Sequence, residues 1–407
     1  MFLVGGTCIG GGMLALPVAT GISGFFPSIV TMFICWLAMT CSALLLLEAA
    51  LWMEEGAHII TITSRLLGKT GKVVAWILYL FISYCSLVAY TAEGGLQLSN
   101  ILEVFLGWGL SKAVCCVIFI LAFGVILDLG TQIVGRVNAV LFIAMVVAYI
   151  LLVGMGIGEV KSHLLTENIN WSYSIMAVPL LLTSFSFQTM VPSLTPLLKN
   201  HAKSLRLAIV GGTIIAFIIY LVWLWLVLGI VPVEGPSGLA TALARGESAT
   251  SYLREVVKGP YISTVAEYFA FFALVTSFLG MGLGLLDFLS DGLKVKKEGW
   301  GKILLAVLII VPTLFFAINY ERAFIVALES SGGFGDSILN GIMPVLMVWI
   351  GRYYMKKDST RLLPGGKAVL AMLLLFFIFT LVIEILLELG LIFSIHDVER
   401  IFDLSLG

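Results

Sequence analysis

Charge is scarce in this sequence. Only 12% of its 407 residues are Asp, Glu, Lys or Arg, about half the ~25% usual in soluble proteins. That shortage excludes a soluble globular domain and a disordered chain. Cysteine is sparse as well. Cys8, Cys35, Cys41, Cys85, Cys115 and Cys116 all stand in apolar runs, so neither a disulfide framework nor a metal-ligand spacing is legible. His58, His163, His201 and His396 fall between apolar runs, which leaves no buried histidine relay. There is no Walker A loop, HExxH helix, GxSxG elbow or Cys/His cluster. An ATP-driven pump, a membrane protease or a hydrolase would need one of these. Net charge is −1 and pI is near 6.4, so no basic surface points to nucleic acid. No basic stretch or small-residue cleavage site precedes the first apolar run, so no cleavable signal is expected. No cofactor or metal is expected either.

What the chain has in excess is hydrophobicity. Sixty per cent of residues are hydrophobic and the mean hydropathy is +1.10. At about 20 apolar residues per crossing, the runs divide into eleven spans, approximately 2–24, 28–52, 73–100, 113–130, 136–157, 174–198, 205–230, 261–290, 302–318, 334–354 and 367–392. The runs are unbroken rather than alternating, so the spans are helices and not barrel strands. The expectation is an all-α integral membrane protein. The long connection 231–259 opens on Pro232, Gly235, Pro236 and Gly238, then mixes Leu239, Leu243, Leu253, Val256 and Val257 with polar residues. It is expected to form one short surface helix. Lys and Arg concentrate in alternate loops, as at Arg65, Lys69 and Lys72, at Lys203 and Arg206, and at Lys294, Lys296 and Lys297. The positive-inside rule then sets the N-terminus in the cytoplasm and the C-terminus outside.

Span 1 carries Gly5-Gly6-Thr7-Cys8-Ile9-Gly10-Gly11-Gly12, then Pro17. Each glycine costs a helix about 1 kcal/mol against alanine. One reading is close helix packing, for which Gly6-x-x-x-Gly10 is suited. The other is an unwound stretch, tolerated at membrane depth only where it lines a cavity or is buried in protein. Span 6 is interrupted too: Pro179, the polar run Thr183-Ser184-Phe185-Ser186-Phe187-Gln188-Thr189, then Pro192 and Pro196. Interrupted spans five apart point to an inverted repeat with its binding site at the breaks. The first repeat is then 1–157 (spans 1–5) and the second 174–354 (spans 6–10), with 367–392 as an extra helix.

Span 3 adds a polar stripe of Tyr79, Ser83, Ser86, Tyr90, Glu93, Gln97 and Asn100, spaced to share one helix face. Such a face often bonds to neighbouring helices. Glu93 is the exception, because an intramembrane carboxylate costs roughly 2.5–3.5 kcal/mol and normally serves a cavity or a partner. Gly94 and Gly95 beside it invite a close neighbour. In span 8, Thr276 and Ser277 can ligate an ion or orient a proton site, while Asp287 and Asp291 belong to the cytoplasmic surface near Lys294. Glu48 in span 2 pairs with a basic loop residue or accepts a proton. Glu384 in span 11 reads as structural.

The runs GTCIGGGMLALPVAT, LLLLEAALWM, VAYTAEGG, SFSFQTMVPSL, FFALVTSFLGMGLGLLDFLSDGLK, SGGFG and PGGK resemble the hydroxy and aromatic amino acid permease family, and within it the tyrosine-specific members. That family lies in the amino acid–polyamine–cation superfamily, and the resemblance covers nearly the whole chain. It implies a leucine-transporter-type fold, with five-plus-five inverted repeats, broken helices 1 and 6 and an eleventh helix. It implies proton-driven import of an aromatic amino acid, tyrosine favoured, across a bacterial inner membrane. The partners are then the amino acid, a coupling proton or sodium ion, and the bilayer. On this chain the substrate carboxylate would meet backbone N–H groups of Gly6, Thr7, Cys8, Ile9, Gly10, Gly11 and Gly12. The ammonium would meet carbonyls of Thr183, Ser184, Phe185, Ser186 and Phe187, in keeping with the charge at helix ends. Phe185, Phe187 and Tyr90 would supply the side-chain pocket. The coupling group is left open between Glu93, Glu48 and a cation near Thr276 and Ser277. Two features depart from the pattern: the chain starts almost inside span 1, and span 5 has no lysine of the kind some proton-coupled relatives use in lieu of sodium. Sodium coupling, a tryptophan, serine or threonine substrate, and a channel or passive facilitator are the rival readings. Two differing breaks in one chain favour a carrier over a channel.

Overall fold

The computed structural model describes residues 2–53, 57–107, 109–197, 201–256, 260–320, 322–357 and 361–392. Every regular element among them is helical. This follows from composition, since a bilayer offers no partner to an unpaired N–H or C=O and a helix satisfies both internally. Span 1 is two helices, α1 (Phe2–Cys8) and α2 (Gly11–Gly21), followed by α3 (Phe25–Leu51), α4 (Ile59–Leu106), α5 (Lys112–Asp128) and α6 (Thr131–Gly156). The short α7 (Leu164–Glu167) precedes span 6, which is again split, into α8 (Val178–Ser184) and α9 (Val191–Leu197). Then come α10 (Ala202–Ile230), α11 (Leu239–Arg245), α12 (Ala249–Val256), α13 (Pro260–Leu293) and α14 (Gly299–Asn319). Span 10 runs through α15 (Ala323–Ser330), a wide-turn π segment (Ser331–Ile342) and α16 (Met343–Tyr353), and α17 (Gly366–Glu388) is span 11.

Eight of these helices are long and apolar enough to cross a bilayer. The two broken pairs and the 17-residue α5 supply the other three crossings. Burial separates an inner from an outer set. Span 10 is 67% buried along its apolar window and α3, α10 and α13 are 56% buried, against 22% for α6 and α14. The outer helices present Val140, Ile143, Val147, Ile150, Val307 and Val311 to their surroundings, as lipid-facing positions should.

Three expectations are corrected. Span 10 starts at Ala323, not near residue 334. Its first half carries Glu329, Ser330, Ser331, Gly332 and Gly333, which depress its hydropathy to 1.4, below the other long spans. The loop 231–259 holds two helices rather than one, divided by Gly246 at φ +68°. They are not on the surface: Leu239–Ala244, Tyr252 and Leu253 are buried, because the loop folds back over α2 and α13. Residues 257–259 of that loop lie outside the described ones. In α4, Gly68 at φ +73° interrupts the helix, so Ile59–Leu67 is a separate turn-in ahead of the membrane span.

At one end of the bundle Glu48 (α3) accepts both guanidinium N–H groups of Arg352 (α16), at 2.6 Å each, and the Leu362 N–H at 2.9 Å. Both side chains are almost wholly buried. Asp287 pairs with Lys297 at 2.6 Å, and half of each side chain is exposed, so that pair adds little. Gly95 permits α5 to approach α4 so closely that a Cβ there would stand 2.8 Å from the Cys116 backbone nitrogen.

Candidate functional site

Span 1 unwinds over Ile9 and Gly10 only. Gly10 is extended at φ −165° and ψ −150°, a conformation open to any residue, so its glycine is required for space. A Cβ at Gly10 would lie 2.1 Å from the Ser277 hydroxyl of α13, one at Gly11 would lie 2.4 Å from the Tyr90 ring of α4, and one at Gly12 would lie 3.1 Å from the Ser184 Cα of α8. Both readings of the glycine run are therefore realised. The chain breaks, and α4, α8 and α13 close onto the break. Gly6, Thr7 and Cys8 remain helical in α1, while Gly11 and Gly12 open α2 and direct its free N–H groups into the break. Thr7 is exposed and donates to the Met190 sulfur at 2.7 Å.

Span 6 breaks after Ser184. Thr183 and Ser184 end α8, and Phe185, Ser186 and Phe187 form the unwound stretch before a short turn at Gln188–Met190. Gln188 stabilises it from both sides. Its Oε1 accepts from the Phe187 N–H at 2.9 Å, and its Nε2 donates to the Met39 carbonyl at 3.1 Å. The Ser184 hydroxyl lies 3.0 Å from the Leu180 carbonyl and 3.3 Å from that of Gly12.

One side chain joins the breaks. The Tyr220 hydroxyl, from α10, stands within hydrogen-bond reach of the Cys8 and Ser184 carbonyls, the latter at 2.8 Å, so its one proton is shared between them. Three residues on, the Trp223 indole N–H donates to the Met13 carbonyl at 2.8 Å. Sequence reasoning missed both. The signal was present: a Tyr and a Trp in mid-span, a helical turn apart, each needing a partner for its polar tip. Around the breaks Ile9, Tyr90, Phe185 and Phe187 are buried, and the Phe185 and Tyr220 rings stand 5.1 Å apart. The arrangement sets the N-terminus of α2 against the C-terminal carbonyls of α8 within an aromatic enclosure. Such a site can hold a carboxylate and an ammonium on one molecule.

The expected coupling residues part company. Tyr90 stands beside the Ser86 and Ser277 hydroxyls, so Ser277 belongs to the break. Thr276 turns back on its own helix, donating to the Phe272 or Ala273 carbonyl at 2.9 or 3.1 Å. Glu93 is buried but faces the loop 231–259. It accepts from Gln97 Nε2 at 2.9 Å and from the Ser248 hydroxyl between α11 and α12. Glu48 is held by Arg352, far along the chain from either break.

A second group that sequence reasoning missed lies behind span 6. Asp336, on the π segment, is wholly buried. Its Oδ1 accepts from the Ser186 hydroxyl and from Asn340 Nδ2, each at 2.6 Å, and its Oδ2 is 3.3 Å from the Thr183 hydroxyl. The misplaced start of span 10 hid it, by setting Asp336 at the edge of a span instead of in its middle.

A model of the tryptophan/tyrosine permease family matches residues 1–384. Among curated relatives, the tyrosine-specific transport system 1 of Haemophilus influenzae is 32% identical over 352 residues, 86% of this chain and 87% of the relative. The tryptophan-specific transport protein of the same organism is 29% identical over 402 residues, 95% of each chain. The low affinity tryptophan permease of Escherichia coli is 26% identical and covers 92% of each. Two solved structures share the architecture. MhsT in complex with L-phenylalanine aligns with a TM-score of 0.65 at 12% identity, covering 94% of this chain and 96% of that one. Mhp1, a nucleobase-cation-symport-1 family transporter with bromovinylhydantoin bound, aligns with a TM-score of 0.59 at 16% identity, covering 98% and 93%. The fold is thus of the leucine-transporter type, with its first and sixth spans broken.

Proposed function

The chain belongs to the tryptophan/tyrosine permease family, and from that premise we propose that it imports an aromatic amino acid, tyrosine first, together with a proton across a bacterial inner membrane. The N-terminus lies in the cytoplasm and the C-terminus outside, and residues 1–157 and 174–354 form the two inverted repeats. The observation that carries this reading is the meeting of the breaks: Tyr220 reaches the Cys8 and Ser184 carbonyls, and the Ser184 hydroxyl lies 3.3 Å from the Gly12 carbonyl in the first turn of α2. The substrate carboxylate binds the free N–H groups at Gly11 and Gly12, and its ammonium binds carbonyls near Ser184 and Phe185. The aromatic side chain packs among Tyr90, Phe185 and Phe187, where ring contacts add about 0.5–1.5 kcal/mol beyond burial. Asp336 touches the unwound stretch of span 6 through Ser186 and is able to take the proton, whereas Glu93 is bound by Gln97 and Ser248. The zwitterion is thereby bound by two helix ends, and the proton adds the driving force.

Tryptophan is the second reading, favoured by the tryptophan-specific relative that matches 95% of the chain. Uptake of labelled tyrosine into proteoliposomes, with a pH gradient and a sodium gradient imposed separately, tests the proposal. Accumulation with the pH gradient alone is expected. Accumulation only with sodium would move coupling to the Ser277 side of the break. Competition by unlabelled tryptophan, serine and threonine ranks the substrates. Equilibration without accumulation under either gradient would make the protein a passive facilitator.

A further inference from the structure

Asp336 sits in a cluster that is short of donors. Its Oδ1 takes both good hydrogen bonds, from Ser186 and Asn340. Its Oδ2 has only Thr183 at 3.3 Å, and the Thr183 proton is better placed for the Leu328 carbonyl at 2.7 Å. Next to it Asn340 Oδ1 is buried without a partner. The titratable and charged groups facing the cluster make the shortage worse. From α4 come Tyr90 and Cys85, and from α17 comes Glu384, whose carboxyl packs against Gly333 and is flanked by Glu329 of α15. From α8 come only hydroxyls. On α3 and α16 the charged pair is Glu48 and Arg352, bound to each other. Among the described residues no Lys, Arg or His donates to Asp336. A buried carboxylate in that setting is costly until a cation or a proton joins it.

Asn340 is a neutral amide that can serve the carboxylate or the acid. Its Nδ2 lies 2.6 Å from Asp336 Oδ1 and 3.1 Å from the Ser186 hydroxyl, while its Oδ1 is the unpartnered acceptor beside them. A terminal amide presents oxygen or nitrogen to a neighbour by a half-turn. With the amide turned, Asn340 Oδ1 can accept a proton held by Asp336, in exchange for the Nδ2 contacts to Asp336 and Ser186. The cluster also lies on a π segment, a geometry that recurs at functional sites.

We propose that Asp336 and Asn340 form the proton-binding site of the transport cycle, acting on the substrate through Ser186. This rests on the reading that import is proton-driven and names the group that couples it. The step is simple: a proton from the outer solution adds to an Asp336 carboxylate oxygen, giving a neutral acid, and leaves to the inner solution after substrate release. No other bond forms or breaks. Ser186 loses a charged acceptor when Asp336 is protonated, so the unwound stretch of span 6 senses the proton directly.

The test uses the full chain in proteoliposomes, acid outside and neutral inside, with labelled tyrosine. Wild type, Asp336→Asn and Glu93→Gln are compared for accumulation, and for tyrosine exchange with equal pH on both sides. Asp336→Asn is expected to lose accumulation while exchange continues, and Glu93→Gln to keep accumulation. Asp336→Asn that accumulates tyrosine as wild type does overturns the proposal. If Asp336→Asn neither accumulates nor exchanges, Ser186→Ala decides. Removing a donor raises the carboxylate's proton affinity, so half-maximal accumulation shifts to higher external pH; an unshifted midpoint overturns the proposal. Wild type that exchanges tyrosine but ignores the pH gradient defeats the proton-driven reading itself, whereas a failure confined to the variants leaves that reading standing.

Discussion

Tyr220 donates its hydroxyl to the carbonyl oxygen of Ser184 at 2.8 Å while reaching the Cys8 carbonyl on its other side. A single α10 side chain therefore fixes the distance between two helix ends that belong to different halves of the molecule. Tyr220→Phe keeps the ring contact with Phe185 and removes the one donor that the two carbonyls share. One lost buried partner costs about 1–3 kcal/mol. The variant should reach the membrane, show a lower apparent Tm in detergent, and have a raised KM for tyrosine. A KM and a Tm both equal to wild type would mean that Tyr220 does not hold the breaks together.

Gly10 is held to glycine by its neighbour, because its extended backbone suits any residue. The obstacle is the Ser277 hydroxyl, 2.1 Å from where a Cβ would stand, and it is the end of a small side chain. Gly10→Ala should therefore abolish uptake with little change in membrane abundance. The double variant Gly10→Ala with Ser277→Gly should recover part of it. Uptake assays on the three proteins check this, and a double variant as dead as the single one would place the fault in the backbone after all.

Much of the fold was legible in the sequence, because spans are announced by apolar run length and breaks by glycine, proline and polar residues inside those runs. The candidate site was legible to the extent that it is made of backbone: the runs Gly5 to Gly12 and Thr183 to Thr189 stand out as interruptions, wider than the unwound stretches at 9–10 and 185–187. What escaped were the side chains that other helices bring to the breaks. Tyr220 and Trp223 looked like two more aromatics in an apolar span, since nothing local says where a hydroxyl or an indole N–H will point. Asp336 escaped because Glu329 and the serine–glycine run dilute the hydropathy of span 10, which moved its apparent start. Glu93 was found by the cost of a carboxylate in a span, but its partner Ser248 lies in a loop 155 residues away. The burial of that loop is a tertiary event with no local signature.

Glu48 and Arg352 form a buried, two-point ion pair between α3 and α16. Breaking one side leaves the other charge buried and unpaired, at a cost of about 3–5 kcal/mol. Arg352→Gln should lower yield and thermal stability strongly. Arg352→Lys should also be impaired, because an ammonium cannot reproduce the planar fork. The double variant Glu48→Leu with Arg352→Met should lie nearer to wild type than either single charge removal. Detergent melting curves across the set test this. Equal melting of Arg352→Gln and wild type would show that the pair is solvated in the membrane-embedded protein.

Ser248 links the buried carboxylate of α4 to the loop helices α11 and α12. Its hydroxyl donates to Glu93 and lies 2.8 Å from that of Thr250. The bond to a charged acceptor contributes about 1.5–3 kcal/mol, enough to bias a loop between closed and open positions. Ser248→Ala removes the donor and leaves Glu93 with Gln97. Amide hydrogen exchange over 239–256 should then quicken in the variant while exchange in the α13 core stays unchanged. If Glu93 is primarily the anchor of this loop, Glu93→Gln should behave differently from Ser248→Ala. Its neutral amide still accepts from Ser248, so the loop should stay protected. Equal loop protection in Ser248→Ala and wild type would remove the latch from the mechanism and return Glu93 to consideration as a group that serves the proton alone.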